Sequence, residues 1–236
     1  MKDQFEYQGR ELDIFAHAKR WKAYWASQVA RWIGGHVLEV GAGLGENTVL
    51  LQNERVRSWH CLEPDPALAA TMAAKVGGIP NCTASIGNIA TVADRQFDSI
   101  LYIDVLEHIE ADGDEMAAAA DLLRPQGHLI VLSPAHQFLF SEFDAAIGHY
   151  RRYNKPLLRA CTPLGCRVEK MFYLDCAGTL LSCANRLLLR QSTPTLRQIQ
   201  TWDTYVIPIS KLLDPLLGYT VGKSIIGVWT REAAME

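Results

Sequence analysis

A short apolar run closed by glycines constrains the fold of this chain more than any other feature. It reads His36-Val-Leu-Glu-Val-Gly41-Ala-Gly43-Leu-Gly45-Glu46. A continuous apolar run of this length is typical of a strand that is buried on both faces. Glycines directly after such a strand let the backbone turn sharply and come close to a ligand. The segment therefore predicts a buried strand, a ligand-binding turn and a helix over 46–53.

Strands and helices continue to alternate up to residue 133. Further apolar runs predict strands at 57–63, 81–87, 98–104 and 128–133. The segments between them include predicted helices over 66–76 and 110–124. This alternation is typical of an α/β fold whose parallel sheet is covered by helices on both faces. We expect five parallel strands, with the ligand site beyond their carboxyl ends.

The flanking regions are less regular. Residues 12–33 are spaced as one or two amphipathic helices, which end at Gly34 and Gly35. After Pro134 the predicted elements are a helix at 155–161, a strand at 166–173, a helix at 176–189, a loop at 190–209, a helix at 210–217 and a strand at 223–230. We expect one domain over residues 1–236, with a helical lid (1–35), a cofactor-binding core (36–135) and an acceptor-binding segment with cap helices and sheet-edge strands (136–236).

Composition excludes several classes of protein. The net charge is −3 and no long basic run occurs, so nucleic acid is not an expected partner. The polar start lacks a secretory signal, and no run of about 20 apolar residues predicts a transmembrane segment. We therefore expect a cytoplasmic protein. The six cysteines are scattered, which predicts free thiols. One D-x-x-E-H group (Asp104, Glu107, His108) is weak evidence for a metal, so we predict no metal site.

The charges around the glycine turn indicate which cofactor it binds. A dinucleotide fingerprint is G-x-G-x-x-G, whereas here the third glycine comes one residue early and Glu46 follows it. The carboxylates of Glu39 and Glu46 are unfavourable beside a diphosphate and suit a ligand with an ammonium or sulfonium group. This favours S-adenosylmethionine over NAD(P). Glu63 ends the next strand and can accept both ribose hydroxyls, with Asp65 as an alternative.

Four segments together resemble a known family. HVLEVGAGLGENT, CLEPD, FDSILYIDVLEHIEADGDEM and LLRPQGHLIVLSPA are similar, in order and spacing, to successive motifs of class I S-adenosylmethionine-dependent methyltransferases. The resemblance implies a Rossmann-like, seven-stranded, mostly parallel sheet with an antiparallel C-terminal edge. The segment SPAHQFLFSEFDAAIGHYRRYNKPLL resembles a subset with a PA…D…GHxRRY pattern, whose members are bacterial enzymes of small-molecule, glycan or peptide tailoring.

The resemblance implies a role for each matching position of the cofactor site. Glu63 would hold the ribose and Pro64 would lie beside the adenine. Asn88, where the family more often has Asp, would meet the adenine edge together with Ile89. The residues expected along the methionine part of the cofactor are Glu39, Gly41, Ala42, Gly43, Gly45, Asp104 and Val105.

The acceptor side is less sharply predicted. His108 and His136 are the candidate general bases. The expected acceptor-binding residues are Tyr24, His149, Arg151, Arg152 and Tyr153. Two structural alternatives stay open: Arg151 and Arg152 can pair with Asp144 or Glu142, and Tyr24 can be a core residue.

We expect methyl transfer to an oxygen of a small molecule or peptide terminus, with S-adenosylhomocysteine as the product. The alternatives are N-methylation of a small amine or heterocycle, an NAD(P)-dependent oxidoreductase, which the acidic loop disfavours, and a cofactor-binding protein without turnover. The C-terminal region is rich in leucine and predicts a cap over an apolar acceptor, a homodimer interface or, least favoured, a membrane-surface patch. Its members are Leu180, Leu181, Leu187, Leu188, Leu189, Leu212, Leu213, Leu216 and Leu217.

Overall fold

Seven strands form one mixed sheet in the computed structural model, which describes residues 11–184 and 195–233. In chain order they are β1 (Gly35–Val40), β2 (Val56–Glu63), β3 (Cys82–Ile86), β4 (Phe97–Ile103), β5 (Leu123–Pro134), β6 (Cys166–Leu174) and β7 (Ser224–Arg231). Their spatial order is β3-β2-β1-β4-β5-β7-β6. β1 to β5 are parallel, and β7 runs antiparallel between β5 and β6. The predicted Rossmann-like sheet with a reversed C-terminal edge is thus confirmed.

Helices cover both faces of this sheet. They are α1 (Glu11–Phe15), α2 (Lys19–Val29), α3 (Glu46–Leu51), α4 (Pro66–Val76), α5 (Asp112–Asp121), α6 (Glu142–Ala146), α7 (Lys155–Ala160), α8 (Cys176–Ala184), α9 (Leu196–Thr201) and α10 (Ile207–Leu216). One apolar cluster includes Trp25 and Trp59, and a second includes Tyr102 and Trp229. None of these described helices is both long and apolar enough to span a bilayer.

The largest departure from the sequence prediction lies within 190–209, which we expected to be a loop. Thr195 and Gln198 form a capping box that starts α9, and a π-helical turn over Trp202–Val206 leads directly into α10. Pro208 is accommodated because it lies in the first turn of α10, where its missing N–H would have no helical partner. The part of the predicted 176–189 helix beyond Ala184, with Leu187 to Leu189, lies outside the described residues.

Buried carboxylates tie the N-terminal helices to the C-terminal ones. Asp214 of α10 accepts hydrogen bonds from the Tyr24 hydroxyl (2.8 Å) and from the backbone N–H groups of Asp175 (2.8 Å) and Cys176 (3.0 Å). Asp203 accepts from the backbone N–H of Trp21 at 2.8 Å. Helix α2 is therefore packed against α10 and the π-helical turn that precedes it. The division into lid, core and acceptor segment stays a prediction.

Candidate functional site

The sheet topology brings the carboxyl ends of three strands together. Val40, at the end of β1, pairs with Leu62 of β2 on one side and Tyr102 of β4 on the other. The chain leaves β1 for β2 on one side and later crosses to β4 on the other. The strand order therefore reverses at this point, where open parallel sheets have their ligand crevice.

The loop after β1 has a backbone that requires glycine. Gly41, Gly43 and Gly45 have φ of +65°, +54° and +73°. A Cβ on Gly41 would lie 2.6 Å from Cγ2 of Val105, so a side chain there would force the loop and the end of β4 apart. Ala42 is buried, and its N–H donates to the carbonyl of Leu62. The predicted cofactor residues of the loop thus lie against β2 and β4.

Glu63 is held in place by backbone donors at the end of β2. It is only 4% exposed. Its Oε2 accepts from the N–H of Gly43 (2.8 Å) and its Oε1 from the N–H of Asp65 (3.0 Å). A carboxylate oxygen accepts more than one hydrogen bond, so both oxygens keep capacity for a diol. Asp65, the alternative ribose ligand, instead caps α4 by accepting from the N–H groups of Ala67 and Leu68.

The two buried carboxylate oxygens of Glu39 differ in their contacts. Its Oε2 accepts from the Thr48 hydroxyl (2.5 Å) and Trp59 Nε1 (3.0 Å), whereas Oε1 has no hydrogen-bond partner within residues 11–184 and 195–233. Burial raises the pKa of this carboxyl to about 7. A buried oxygen of this kind is stabilised by a ligand that brings a donor or a positive charge. Glu46 differs, because it is half-exposed and forms an ion pair with Lys75.

Asp104 lies at the end of β4 with a left-handed backbone (φ +55°). It is exposed to solvent, yet burial by the surrounding protein raises its pKa to about 6. These two observations together place its carboxylate inside a cleft. The basic side chains that counteract this rise in pKa come from three different parts of the chain and are His149, Lys22 and Lys223.

The residues expected at the adenine lie in the loops after β2 and β3. The N–H of Gly87 donates to the carbonyl of Glu63 at 3.0 Å, which holds the two loops together. Pro64 is half-buried, Asn88 is exposed and Ile89 is buried. The Asn88 side chain accepts from the N–H of Ala90 at 3.2 Å. The adenine role of these residues stays a prediction.

Two histidines lie together beside Asp104. The rings of His108 and His149 meet edge to face, with centroids 4.5 Å apart. Burial, followed by the neighbouring imidazole of His149, lowers the pKa of His108 to about 4. Glu107 is fully buried between them and Ser133, and burial followed by the charge of Asp104 raises its pKa. His108 is therefore a neutral imidazole at pH 7.

His136, the other candidate base, is apart from this pair. It has a φ of +67° and stacks between Tyr173 (4.8 Å) and Phe138 (5.3 Å). Its backbone N–H donates to the carbonyl of Tyr153, beyond the end of β5. Burial lowers its pKa as well. The catalytic roles of both histidines stay predictions.

Each of the five residues expected to bind the acceptor is engaged with an aspartate of the protein. Arg152 forms a bidentate pair with Asp144 (2.7 and 2.9 Å), which is the structural alternative stated above. Arg151 pairs with Asp112. Tyr153, expected at the acceptor, is instead fully buried, and its hydroxyl donates to Asp112 at 2.7 Å.

Tyr24 is likewise buried, with its hydroxyl on Asp214. Of the five residues expected to bind the acceptor, His149 is the one placed beside Asp104. For Tyr24 and Tyr153 the buried hydroxyls favour a structural role, because each is already used inside the protein.

Two lysines beside Asp104 were not among the predicted site residues. Lys22 comes from α2, and burial lowers its pKa in spite of Glu46 and Asp104. Lys223 precedes β7 and lies 4.3 Å from the centre of the Trp202 ring. The antiparallel pairing of Pro134 with Ser224 brings Lys223 to the ligand edge. Neither lysine belongs to a sequence motif. The position of Lys223 could be predicted only by someone who already knew that β7 pairs with β5.

Comparisons with known proteins agree on the fold. A family model described as a methyltransferase domain matches residues 17–168. The structure of geranyl diphosphate methyltransferase in complex with SAM is similar over 94% of this chain and 90% of its own, with 13% identity and a TM-score of 0.63. The structure of N-methyltransferase NodS from Bradyrhizobium japonicum WM9 is similar over 96% of this chain and 99% of its own, with 11% identity and a TM-score of 0.54.

The fold is also shared with a protein named for a different activity. The cyclase SpnF is similar over 90% of this chain and 81% of its own, with 13% identity and a TM-score of 0.59. A search of curated protein sequences gave no significant match. At these identities the solved structures establish the fold alone, and the reaction has to be argued from the site.

Proposed function

The chain belongs to the methyltransferase-domain family, and from this premise we propose that it moves the methyl group of S-adenosylmethionine to an oxygen of a small molecule or peptide terminus in bacterial biosynthesis. The observation that carries the proposal is the pairing of Glu63 with the Gly43 N–H across the ends of β2 and β1. This pairing holds the Glu63 carboxylate beside the glycine turn, where it can accept hydrogen bonds from the two hydroxyls of a ribose.

The residues of the cleft fit the cofactor in charge and shape. The unpartnered Glu39 Oε1 suits the ammonium of its methionine part, and Glu63 suits its ribose. The positive φ of Gly41, Gly43 and Gly45 makes the sharp turn by which the loop backbone can come close to the cofactor. When bound, S-adenosylmethionine supplies a methyl group activated by a sulfonium. The protein aligns the acceptor oxygen with that carbon, which is the main catalytic contribution that this reaction needs.

The proposed acceptor side supplies neutral imidazoles and positive charge. A hydroxyl acceptor has to lose a proton, whereas a carboxylate needs only a cation that holds it. A pKa of about 4 makes His108 a weak base at pH 7. Lys223 and the half-buried Lys22 can hold an anionic acceptor. We therefore favour an acceptor that is already anionic or is deprotonated with further assistance.

N-methylation of a small amine or heterocycle is the second candidate. The observation that favours it is the pair of carboxylates, Asp104 and Glu107, which lie close enough to raise the pKa of Glu107. Such a pair attracts an amine. An NAD(P)-dependent reaction is disfavoured, because Glu39 and Glu46 would lie beside a diphosphate. A cytoplasmic location and the absence of a nucleic-acid partner belong to the same proposal.

A turnover experiment tests the proposed reaction. The protein is incubated with methyl-deuterated S-adenosylmethionine and acceptors chosen from hydroxyl, carboxylate and amine classes, and the products are analysed by mass spectrometry. Methyl transfer to oxygen supports the proposal, and transfer only to nitrogen replaces it with the alternative. His108→Ala and His136→Ala are measured in parallel. If both retain full turnover, neither residue is the base.

The affinity for S-adenosylhomocysteine should decrease as the pH falls. Glu39 has a raised pKa of about 7 in the free protein, and the ligand ammonium favours its ionised form. Below pH 7 binding has to remove a proton, so the affinity should fall about tenfold between pH 8 and pH 6. Calorimetric titrations at pH 6, 7 and 8 measure this change. Glu39→Gln should bind more weakly and lose most of this dependence, keeping only the part due to Asp104, whose pKa is about 6. A wild-type affinity that is constant over the range would contradict the assignment.

We also propose that a second copy of the chain covers the exposed face of α10. Ser210 and Asp214 of this helix are buried, as is Ile207 at its start, whereas five apolar residues between Ile209 and Leu217 face solvent at the spacing of one helical stripe. Two such stripes are complementary to each other under a two-fold axis. The exposed residues are Ile209, Leu212, Leu213, Leu216 and Leu217.

Sedimentation velocity tests this interface. The wild type should sediment as a dimer at micromolar concentration, and Leu212→Lys combined with Leu216→Lys should convert it to a monomer with unchanged far-UV circular dichroism. A matched double substitution on β6, Lys170→Ala with Arg167→Ala, should leave the dimer intact. A monomeric wild type at the same concentration would exclude the interface and leave the stripe for an apolar acceptor or a membrane surface.

A further inference from the structure

Three potential metal ligands meet beside the acceptor cleft. Glu107 and His108 follow β4, and His149 lies in the loop after α6. One ligand atom from each residue lies within 4.8 Å of those of the other two. Around a tetrahedral metal with ligand bonds of about 2.0–2.3 Å, such atoms are separated by roughly 3.3–3.7 Å. Small side-chain rotations therefore suffice to bring the three atoms to one ion.

Glu107 supplies an oxygen that the protein itself does not use. Its side chain is fully buried, and Oε2 accepts from the Ser133 hydroxyl at 2.9 Å. Oε1 has no hydrogen-bond partner among the described residues. Nε2 of His149 lies 3.9 Å from this Oε1 atom. A fully buried carboxylate oxygen without a donor is costly unless a positive charge approaches it.

His149 is oriented as a metal-ligating histidine is. Its Nδ1 lies 3.0 Å from Oδ1 of Asp144, so the carboxylate fixes the proton on Nδ1 and leaves the lone pair on Nε2. Asp144 is itself held by the Arg152 guanidinium and by the N–H and hydroxyl of Ser141. A carboxylate behind the ring is the usual second partner of a histidine that binds metal.

The loop also fixes the position of His108. Its ring packs edge to face on His149 and makes backbone hydrogen bonds with Ile147 and Gly148. Gly148 has a φ of +84°, a conformation in which a side chain would be strained. Both imidazoles are thus held by the protein rather than left to rotate. This preorganisation is what a metal site with few ligands requires.

From this geometry we propose that Glu107, His108 and His149 bind one divalent transition-metal ion. One carboxylate and two imidazoles suit zinc, manganese or iron(II), and three protein ligands leave coordination positions open. The proposal assigns a ligand set that spacing along the chain did not predict, because His149 is 41 residues beyond His108. An ion held by these three residues would bind the acceptor oxygen at an open position and lower the pKa of its hydroxyl. This role rests on the proposed function.

Metal binding can be measured without any acceptor. The full-length protein is treated with EDTA, exchanged into chelator-free buffer and titrated separately with MnCl₂ and ZnCl₂ by calorimetry, and the bound metal is counted by mass spectrometry of the dialysed protein. We expect one ion per chain. Manganese is the more selective probe, because the free cysteines bind zinc more readily.

Two variants and one control locate the site. Glu107→Gln has nearly the same shape, and His149→Ala removes the oriented imidazole; each should weaken binding at least 100-fold. His17→Ala removes an exposed histidine elsewhere and should change nothing. Binding of less than a tenth of an ion per chain, or equal binding by all variants, would overturn the proposal. The affinity for S-adenosylhomocysteine is measured on the same samples. A variant that loses metal but still binds S-adenosylhomocysteine has lost only the metal site, whereas a wild type that binds metal but no S-adenosylhomocysteine would show that the proposed cofactor site is wrong.

Discussion

Glu63→Ala should weaken the binding of S-adenosylhomocysteine at least about 100-fold. The carboxylate would lose two charge-assisted hydrogen bonds to the ribose, each worth about 1.5–3 kcal/mol, and 100-fold corresponds to about 2.8 kcal/mol. The substitution also removes the acceptor for the Gly43 and Asp65 N–H groups, which loosens the loop above the cofactor. Isothermal titration calorimetry measures the effect directly.

Two further variants separate ribose binding from general damage. Glu63→Gln keeps one acceptor oxygen and should give an intermediate affinity. Asp98→Ala removes a carboxylate that accepts from the His36 N–H at 2.7 Å, at the opposite end of β1, and should leave the affinity unchanged. An affinity of Glu63→Ala equal to that of the wild type would reject the ribose assignment.

Asp214→Ala should lower the free energy of unfolding by about 3–5 kcal/mol, the range for removing one partner from a buried charged network. The side chain is fully buried and accepts hydrogen bonds from three donors. The substitution would leave three buried donors without their acceptor: the Tyr24 hydroxyl and the N–H groups of Asp175 and Cys176. Urea denaturation followed by tryptophan fluorescence measures the change.

Tyr24→Phe is the matched control for this network. It removes one of the three hydrogen bonds together with its donor, so the expected loss is about 1 kcal/mol. It also remains measurable if Asp214→Ala does not fold. A stability of Asp214→Ala within about 0.5 kcal/mol of the wild type, the usual range for surface substitutions, would show that the network does not hold the ends of the chain together.

The core of the fold was predictable because its signals are local. Val37, Leu38 and Val40 lie in one short apolar run, and the glycines that follow need the positive φ that they have. Asp65 and Pro66 likewise mark the start of α4 next to each other in sequence. Such neighbours determine strand, turn and helix without knowledge of the rest of the chain.

The remainder depends on contacts between distant residues. Within 190–209, a predicted loop, the helices are held by burial of Ile199 and Trp202 against the other end of the molecule. Lys22 and Lys223 reach Asp104 from opposite ends of the sequence. Sequence motifs were enough to predict the residues that meet at the ends of β1, β2 and β4, whereas the surroundings of Asp104 depend on packing that single-sequence patterns do not show.

The most direct test of the central claim is calorimetric titration of the wild-type protein at pH 8 with S-adenosylhomocysteine and, separately, with NADH. The acidic cleft at the ends of β1, β2 and β4 predicts micromolar binding of S-adenosylhomocysteine with one site per chain and no measurable binding of NADH. Binding of NADH without binding of S-adenosylhomocysteine would contradict the account.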